Sequence, residues 1–161
     1  MSAYGTYQSG QEQKKMGEYN ASVMEGEANL IKAGAARENE IIRQNAVLQE
    51  YRARKQQAVD VGSMVGAFAR SGVSVNTGSP LNYIADQIAN SELSISIDKW
   101  NAENNVATNT YNSEVSALNK QSNAKLQRIY GTSAATNATY SAAGTLLSSA
   151  SSYYGKTKIG A

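Results

Sequence analysis

Proline occurs once in this chain, at position 80, and that single residue divides two long stretches in which nothing forbids a helix. Proline lacks an amide donor and clashes with the preceding turn, so a chain free of it elsewhere can stay helical on both sides. The neighbouring residues are turn formers. Gly72 can close a preceding helix in the left-handed conformation. Gly78 follows, and Ser79 and Pro80 read as N-cap and first helical residue ahead of Leu81. The expected fold is all-α: two long helices forming an antiparallel helical hairpin with its turn at 71–79. Val73 and Val75 would form an exposed tip. The glycines are not a phosphate cradle, because neither a GxxxxGK[ST] nor a GxGxxG spacing is present.

From Gln11 to Arg70 the chain is rich in helix formers. Its larger apolar residues recur mostly three, four or seven apart: Met16, Val23, Leu30 with Ile31, Ile41 with Ile42, Leu48, Tyr51, Val61, Val65 and Phe68. Gly17, Gly26 and Gly34 each weaken a helix interior by about 1 kcal/mol relative to alanine. Residues 1–34 are therefore expected to be a polar, partly helical segment, ahead of a hairpin over 35–130 and a tail over 131–161. In the second helix Leu93, Ile97, Trp100, Asn104, Ala107, Tyr111, Val115, Leu118, Ser122, Leu126 and Ile129 follow the 3.6-residue period of a straight helix. Leu93, Ile97, Trp100, Tyr111, Val115 and Leu118 are assigned to the helix seam. Asn104 and Ser122, on the same stripe, would need partners there. Ser94 to Ile97 alternates like a strand but is too short to override the helical pattern.

Composition limits what these helices can bury. One Phe, one Trp and ten Tyr stand among many Ala, Ser, Asn and Gln, too little large apolar material for a sizeable isolated core. Burial must come in part from neighbouring chains, so a homo-oligomer is expected. The amide-rich face at Asn101, Asn105, Thr108, Asn109, Asn112 and Asn119 suits packing among chains better than free solvent, where interleaved charges are usual.

The chain has no cysteine and no histidine. That removes disulfides, thiolate nucleophiles, the commonest general base and the commonest transition-metal ligand. The carboxylate pairs Glu25/Glu27 and Glu38/Glu40 diverge at i, i+2 on a helix. No enzymatic chemistry, metal or cofactor is expected. Tyr51-Arg52-Ala53-Arg54-Lys55 sets Arg52, Arg54 and Lys55 around a ring, a pattern suited to phosphate contact and nonspecific DNA binding, although a solvated helix face is the commoner reading.

Residues 129–155 are uncharged and rich in Ala, Ser, Thr, Tyr and Gly. The length could cross a bilayer, but the hydroxyls dilute its few strong apolar residues, Leu146 and Leu147. Small residues at Ala134, Ala138, Ala142, Ala143 and Gly144 would let another helix come close. With Lys156 and Lys158 beyond it, this stretch is the candidate membrane or partner segment. Residues 1–114 carry all thirteen acidic side chains against ten basic ones, whereas residues 115–161 carry five basic and no acidic. The first ten residues lack the pattern of a secretory signal, so synthesis in the cytoplasm is expected.

Gly72-Val73, Thr77-Gly78-Ser79-Pro80-Leu81, Ala85-Asp86, Ser91-Glu92-Leu93 and Trp100-Asn101-Ala102-Glu103 together resemble the turn-and-helix signature of small internal virion proteins of tailed phages. The likeness is to the internal core, or ejection, proteins of short-tailed phages, and it covers roughly residues 60–105. It implies a virion protein held in several copies at the portal or tail vertex, beside portal, tail or larger core proteins. On ejection it would reach the host cell envelope and its membrane, and help form a conduit for the genome. The alternatives are a fixed tail or neck component, a helical hairpin of a secretion apparatus, and a nucleic-acid-binding helical protein.

Overall fold

The computed structural model describes residues 2–157. Among them it contains two α-helices, α1 (Ala3–Arg70) and α2 (Gly78–Thr157), and no strand. The stretch from Ser94 to Ile97 is helical. So is the segment expected to break: α1 passes without interruption through Gly17, Gly26 and Gly34. The propensity penalty at each glycine is small beside the packing of a long helix against a neighbour.

The turn between the helices closes as its residues require. Val73 N–H bonds to Phe68 C=O at 3.1 Å and Gly72 N–H to Ala69 C=O at 3.2 Å, the paired bonds of a Schellman cap. Gly72 takes the left-handed position with φ of 72°. Gly78, also left-handed at 70°, is the first residue of α2, two positions earlier than expected. Ser79 makes no capping side-chain bond among the described residues; Pro80 lies in the first turn, where its missing N–H has no intrahelical acceptor anyway.

The chain divides into two units, Ala33–Ser113 and Met1–Lys32 with Glu114–Ala161. The expected boundaries at 34 and 130 differ from this, because the N-terminal segment and the tail pair with each other.

Within Ala33–Ser113 the legs of α1 and α2 run antiparallel about the turn. Their contacts descend in step: Phe68 with Tyr83 edge-to-face at 6.5 Å, Gln57 Nε2 with the Ile88 carbonyl at 3.3 Å, Arg54 with Glu92 at 2.8 Å, and Glu50 with Lys99 at 2.8 Å. The seam is closed by a polar cluster. Asn39, buried, donates to Thr110 Oγ1 at 2.8 Å and accepts from Asn109 Nδ2 at 3.0 Å, which also donates to Glu38 at 3.2 Å. Such a group is satisfied only when the legs are in one register.

In the other unit the two segments also run antiparallel, and their backbones nearly touch. A Cβ placed on Gly10 would lie 2.3 Å from Ala138 Cβ, and one on Gly17 would lie 2.6 Å from the Gln127 carbonyl oxygen and 3.1 Å from Gly131 Cα. Ala21, Ala28, Ala117, Ala124, Ala135 and Ala142 are buried. The small residues stand seven apart in two facing rows, Gly10-Gly17 with Ala21-Ala28 on α1, and Ala117-Ala124-Gly131-Ala138 on α2. Arg128 grips Glu25 with both guanidinium N–H edges, Nη2 to Oε2 at 2.9 Å, and Lys120 reaches Glu27 at 2.6 Å. Lys120 and Arg128, ahead of the tail, therefore find acids on α1.

Candidate assembly surface

The residues assigned to the seam are not in it. Leu93 (60 % exposed), Ile97 (49 %), Trp100 (63 %), Tyr111 (66 %), Val115 (39 %) and Leu118 (57 %) all face outward, as do Asn104 and Ser122. The contact between the helices is made instead by Ile84, Ile95, Ala102, Val106, Thr110 and Ser113 in one unit, and by the alanines and glycines in the other. Each helix carries two stripes of the same period, one of small residues and one of large apolar ones. A helix paired with a single neighbour can bury only one of them. The small stripe takes that place because it lets the backbones approach.

The two stripes lie on opposite sides of each helix. On α1, Val23, Leu30, Ile41 and Leu48 each follow by two positions the seam residues Ala21, Ala28, Asn39 and Ala46. On α2, Leu93, Trp100, Tyr111 and Val115 each precede by two the inward residues Ile95, Ala102, Ser113 and Ala117. Two positions correspond to about 200° of rotation. The chain thus has mostly small residues inside, with Ile84 and Ile95 the large apolar ones among them, and its leucines, Ile41, Ile97 and Trp100 outside; no large side chain is fully buried among the described residues. Its accessible surface is 11659 Å². Two separate compact bodies, each of half its mass, would together expose about 9,400 Å², leaving an excess of roughly 2,000 Å². Two helices side by side enclose no interior, and the surplus follows from that.

Charge separates the two faces in Ala33–Ser113. Glu50 accepts from Lys99 and from Arg54, and those bonds hold its carboxyl below the ordinary carboxylate range. Its bond to Glu50, joined by the charge and bond of Glu92, raises Arg54. Arg54 is therefore engaged within the chain, leaving Arg52 and Lys55 as the members of the trio expected to meet phosphate that form no ion pair among the described residues. Among the described residues of this unit, the charges outside any ion pair are Arg37, Arg43, Arg52, Lys55 and Arg70 with Glu38, Glu40 and Asp60 on α1, five basic against three acidic, and Asp86, Asp98 and Glu103 on α2, all acidic.

Beside this pairing lies an open groove of 580 Å³, walled by Ala46, Val47, Ala102 and Val106, with Arg43 and Glu103 also on its lining. It presents no nucleophile and no base free of a salt bridge beyond Glu103, and no cluster of three or more metal-ligating side chains occurs among the described residues.

The tail is partly spent on its own unit. Ala138 meets Gly10 and Ala142 is buried, while Leu146 (63 %) and Leu147 (72 %) are exposed and nothing lies within 4 Å of a Cβ on Gly144. Its hydroxyls turn back on the helix, with Thr136, Thr139 and Thr145 each donating to the carbonyl four residues earlier. Among the described residues no helix is long and apolar enough to cross a membrane. Lys156 lies in the last turn of α2, and Lys158 lies outside the described residues.

The strongest periodic signal in the sequence belongs to these stripes, and they lie on the side away from the seam. The signal that assigns them correctly is the seven-residue spacing of glycine and alanine. Compared with protein families, with curated proteins and with solved structures, the chain matches none.

Proposed function

We propose that this chain is a non-enzymatic virion protein of a tailed phage, held in several copies at the portal or tail vertex and ejected to help form a conduit for the genome. The observation that carries the reading is the inside-out distribution of side chains: a chain whose leucines and tryptophan face outward while glycine and alanine fill its seam is built to be completed by other chains. The resemblance of residues 60–105 to small internal core proteins supplies the setting. The chemistry agrees with a mechanical role, since the carboxylates best placed to act, Glu25 and Glu50, are tied to Arg128, Lys99 and Arg54.

A fixed tail or neck component is the second reading. It is favoured by the absence, among the described residues, of a helix apolar enough to enter a bilayer alone. Quantitative mass spectrometry of virions before and after genome release separates the two. The ejected protein is present in full particles and lost from emptied ones. Retention in emptied particles establishes the fixed component, and absence from full particles rejects the virion assignment.

A further inference from the structure

We infer that copies of this chain join through a heterologous contact in which the outer face of α1 from one copy docks on the outer face of α2 from the next. The inference deepens the multi-copy part of the reading above and rests on it. It concerns the unit Ala33–Ser113, whose two helices each turn an apolar stripe away from their shared seam. On α1 that face holds Ile41, Leu48, Tyr51 and Val59, between 47 % and 65 % exposed. On α2 it holds Leu93, Ile97, Trp100 and Tyr111, between 49 % and 66 % exposed.

Three arrangements could cover these stripes with a second copy: α1 on α1, α2 on α2, or α1 on α2. Charge decides among them. On the α1 leg the charges outside any ion pair are five basic (Arg37, Arg43, Arg52, Lys55, Arg70) against three acidic (Glu38, Glu40, Asp60), a net positive balance, so pairing two α1 faces sets like net charge against like. The charges left unpaired on the α2 leg are Asp86, Asp98 and Glu103, all acidic, so pairing two α2 faces brings acids together. Only the mixed contact sets legs of opposite net charge against each other, and like charges across an interface are strongly unfavourable. A contact of this type repeats from copy to copy, closing as a ring or continuing as a filament.

If neighbouring copies sit at one height, each α1 residue faces the α2′ residue level with its own in-chain partner. Glu50 is level with Lys99 in the chain, so Leu48 of one copy comes opposite Trp100 of the next. The chain has no cysteine, so introduced thiols are the only ones. The test is a bismaleimide spanning roughly two helical turns, about 11 Å, applied to Leu48→Cys, Trp100→Cys and the double variant. All are checked for unchanged helicity by circular dichroism and for assembly by sedimentation. The expected result is a ladder of trimers and larger products from the double variant, a cross-linked dimer from an equimolar mixture of the two single variants, and little product from either single variant alone.

Dimers from Trp100→Cys alone or from Leu48→Cys alone, with no ladder from the double variant, would overturn the mixed contact in favour of a two-fold one. Assembly in sedimentation without any cross-linked product would also overturn it, while leaving the multi-copy reading standing. Wild-type chain that sediments as a monomer at every concentration rejects both. As a second measurement, reversing Asp86 and Glu103 to lysine in one chain should weaken assembly at least tenfold, and reversing Arg52 and Lys55 to glutamate in that same chain should restore it. Failure of this rescue counts against the contact.

Discussion

Replacing Gly17 by alanine should destabilise the chain, although the same change at Gly26 or Gly34 of α1 should stabilise it. In a helix interior, glycine to alanine ordinarily gains about 1 kcal/mol. At Gly17 the new methyl would lie 2.6 Å from the Gln127 carbonyl oxygen and 3.1 Å from Gly131 Cα. Both are backbone atoms, so no side chain can swing aside, and reaching ordinary contact requires the segments to part by about 0.6–0.8 Å. A gap of that size forfeits a quarter to a half of the dispersion energy of each seam contact it opens, and overpacking of this kind costs about 1–3 kcal/mol. Set against the propensity gain, Gly17→Ala is expected to lose about 0–2 kcal/mol. Gly26→Ala and Gly34→Ala, where nothing lies within 4 Å of the added carbon, should each gain about 1 kcal/mol. The three variants are compared by urea denaturation at one protein concentration, reading midpoint and slope together. Gly17→Ala as stabilising as Gly26→Ala would show that the backbones do not approach as described, and the reasoning about the small-residue seam would fall.

The remaining predictions concern register, charge and pH. Asn39→Ala should cost about 1–3 kcal/mol, since it strips Asn109 and Thr110 of a buried partner; an unchanged denaturation midpoint would remove the polar cluster from the account. Glu25 and Glu50 are held below the ordinary value of 4.5, first by the Arg128 bond and by the Lys99 bond respectively. A carboxyl lowered in the folded state contributes stability above its unfolded value and loses it as pH falls through the folded one. Thermal stability should therefore decline as pH is lowered below about 4.5, and the double variant Glu25→Gln, Glu50→Gln should show a shallower decline. If DNA binds, Arg52→Ala with Lys55→Ala should weaken it and flatten its salt dependence, whereas Arg54→Ala should act mainly on stability through Glu50 and Glu92; equal loss of binding in both variants would contradict that division.

Much of the architecture was legible in the residues. The lone Pro80 between Gly72 and Gly78, and the 3.6 period from Leu93 to Ile129, announce two helices and a turn. What misled was size. Leu93, Ile97 and Trp100 look like a core, and in a larger bundle they would be one, but a helix with one neighbour buries a single stripe, and Gly17 against Gly131 allows an approach that Leu30 against Leu118 would prevent. The pairing of residues 1–32 with the tail was legible only in the seven-residue spacing of Gly10, Gly17, Ala117, Ala124, Gly131 and Ala138, a weaker pattern than the apolar one. The glycine penalties at Gly26 and Gly34 were real but local, and too small to interrupt α1.

Trp100 is the only tryptophan in the chain, and within the single chain it is 63 % exposed, so its fluorescence reports directly on whether the outward stripe is covered. Emission and acrylamide quenching are followed across a dilution series while sedimentation tracks the state of assembly. The account predicts blue-shifted emission and protection from quenching in the assembled state, both lost together as copies separate. A Trp100 equally open to quencher in assembled and separated chains would contradict it, because the stripe would then be exposed for some reason other than contact between copies.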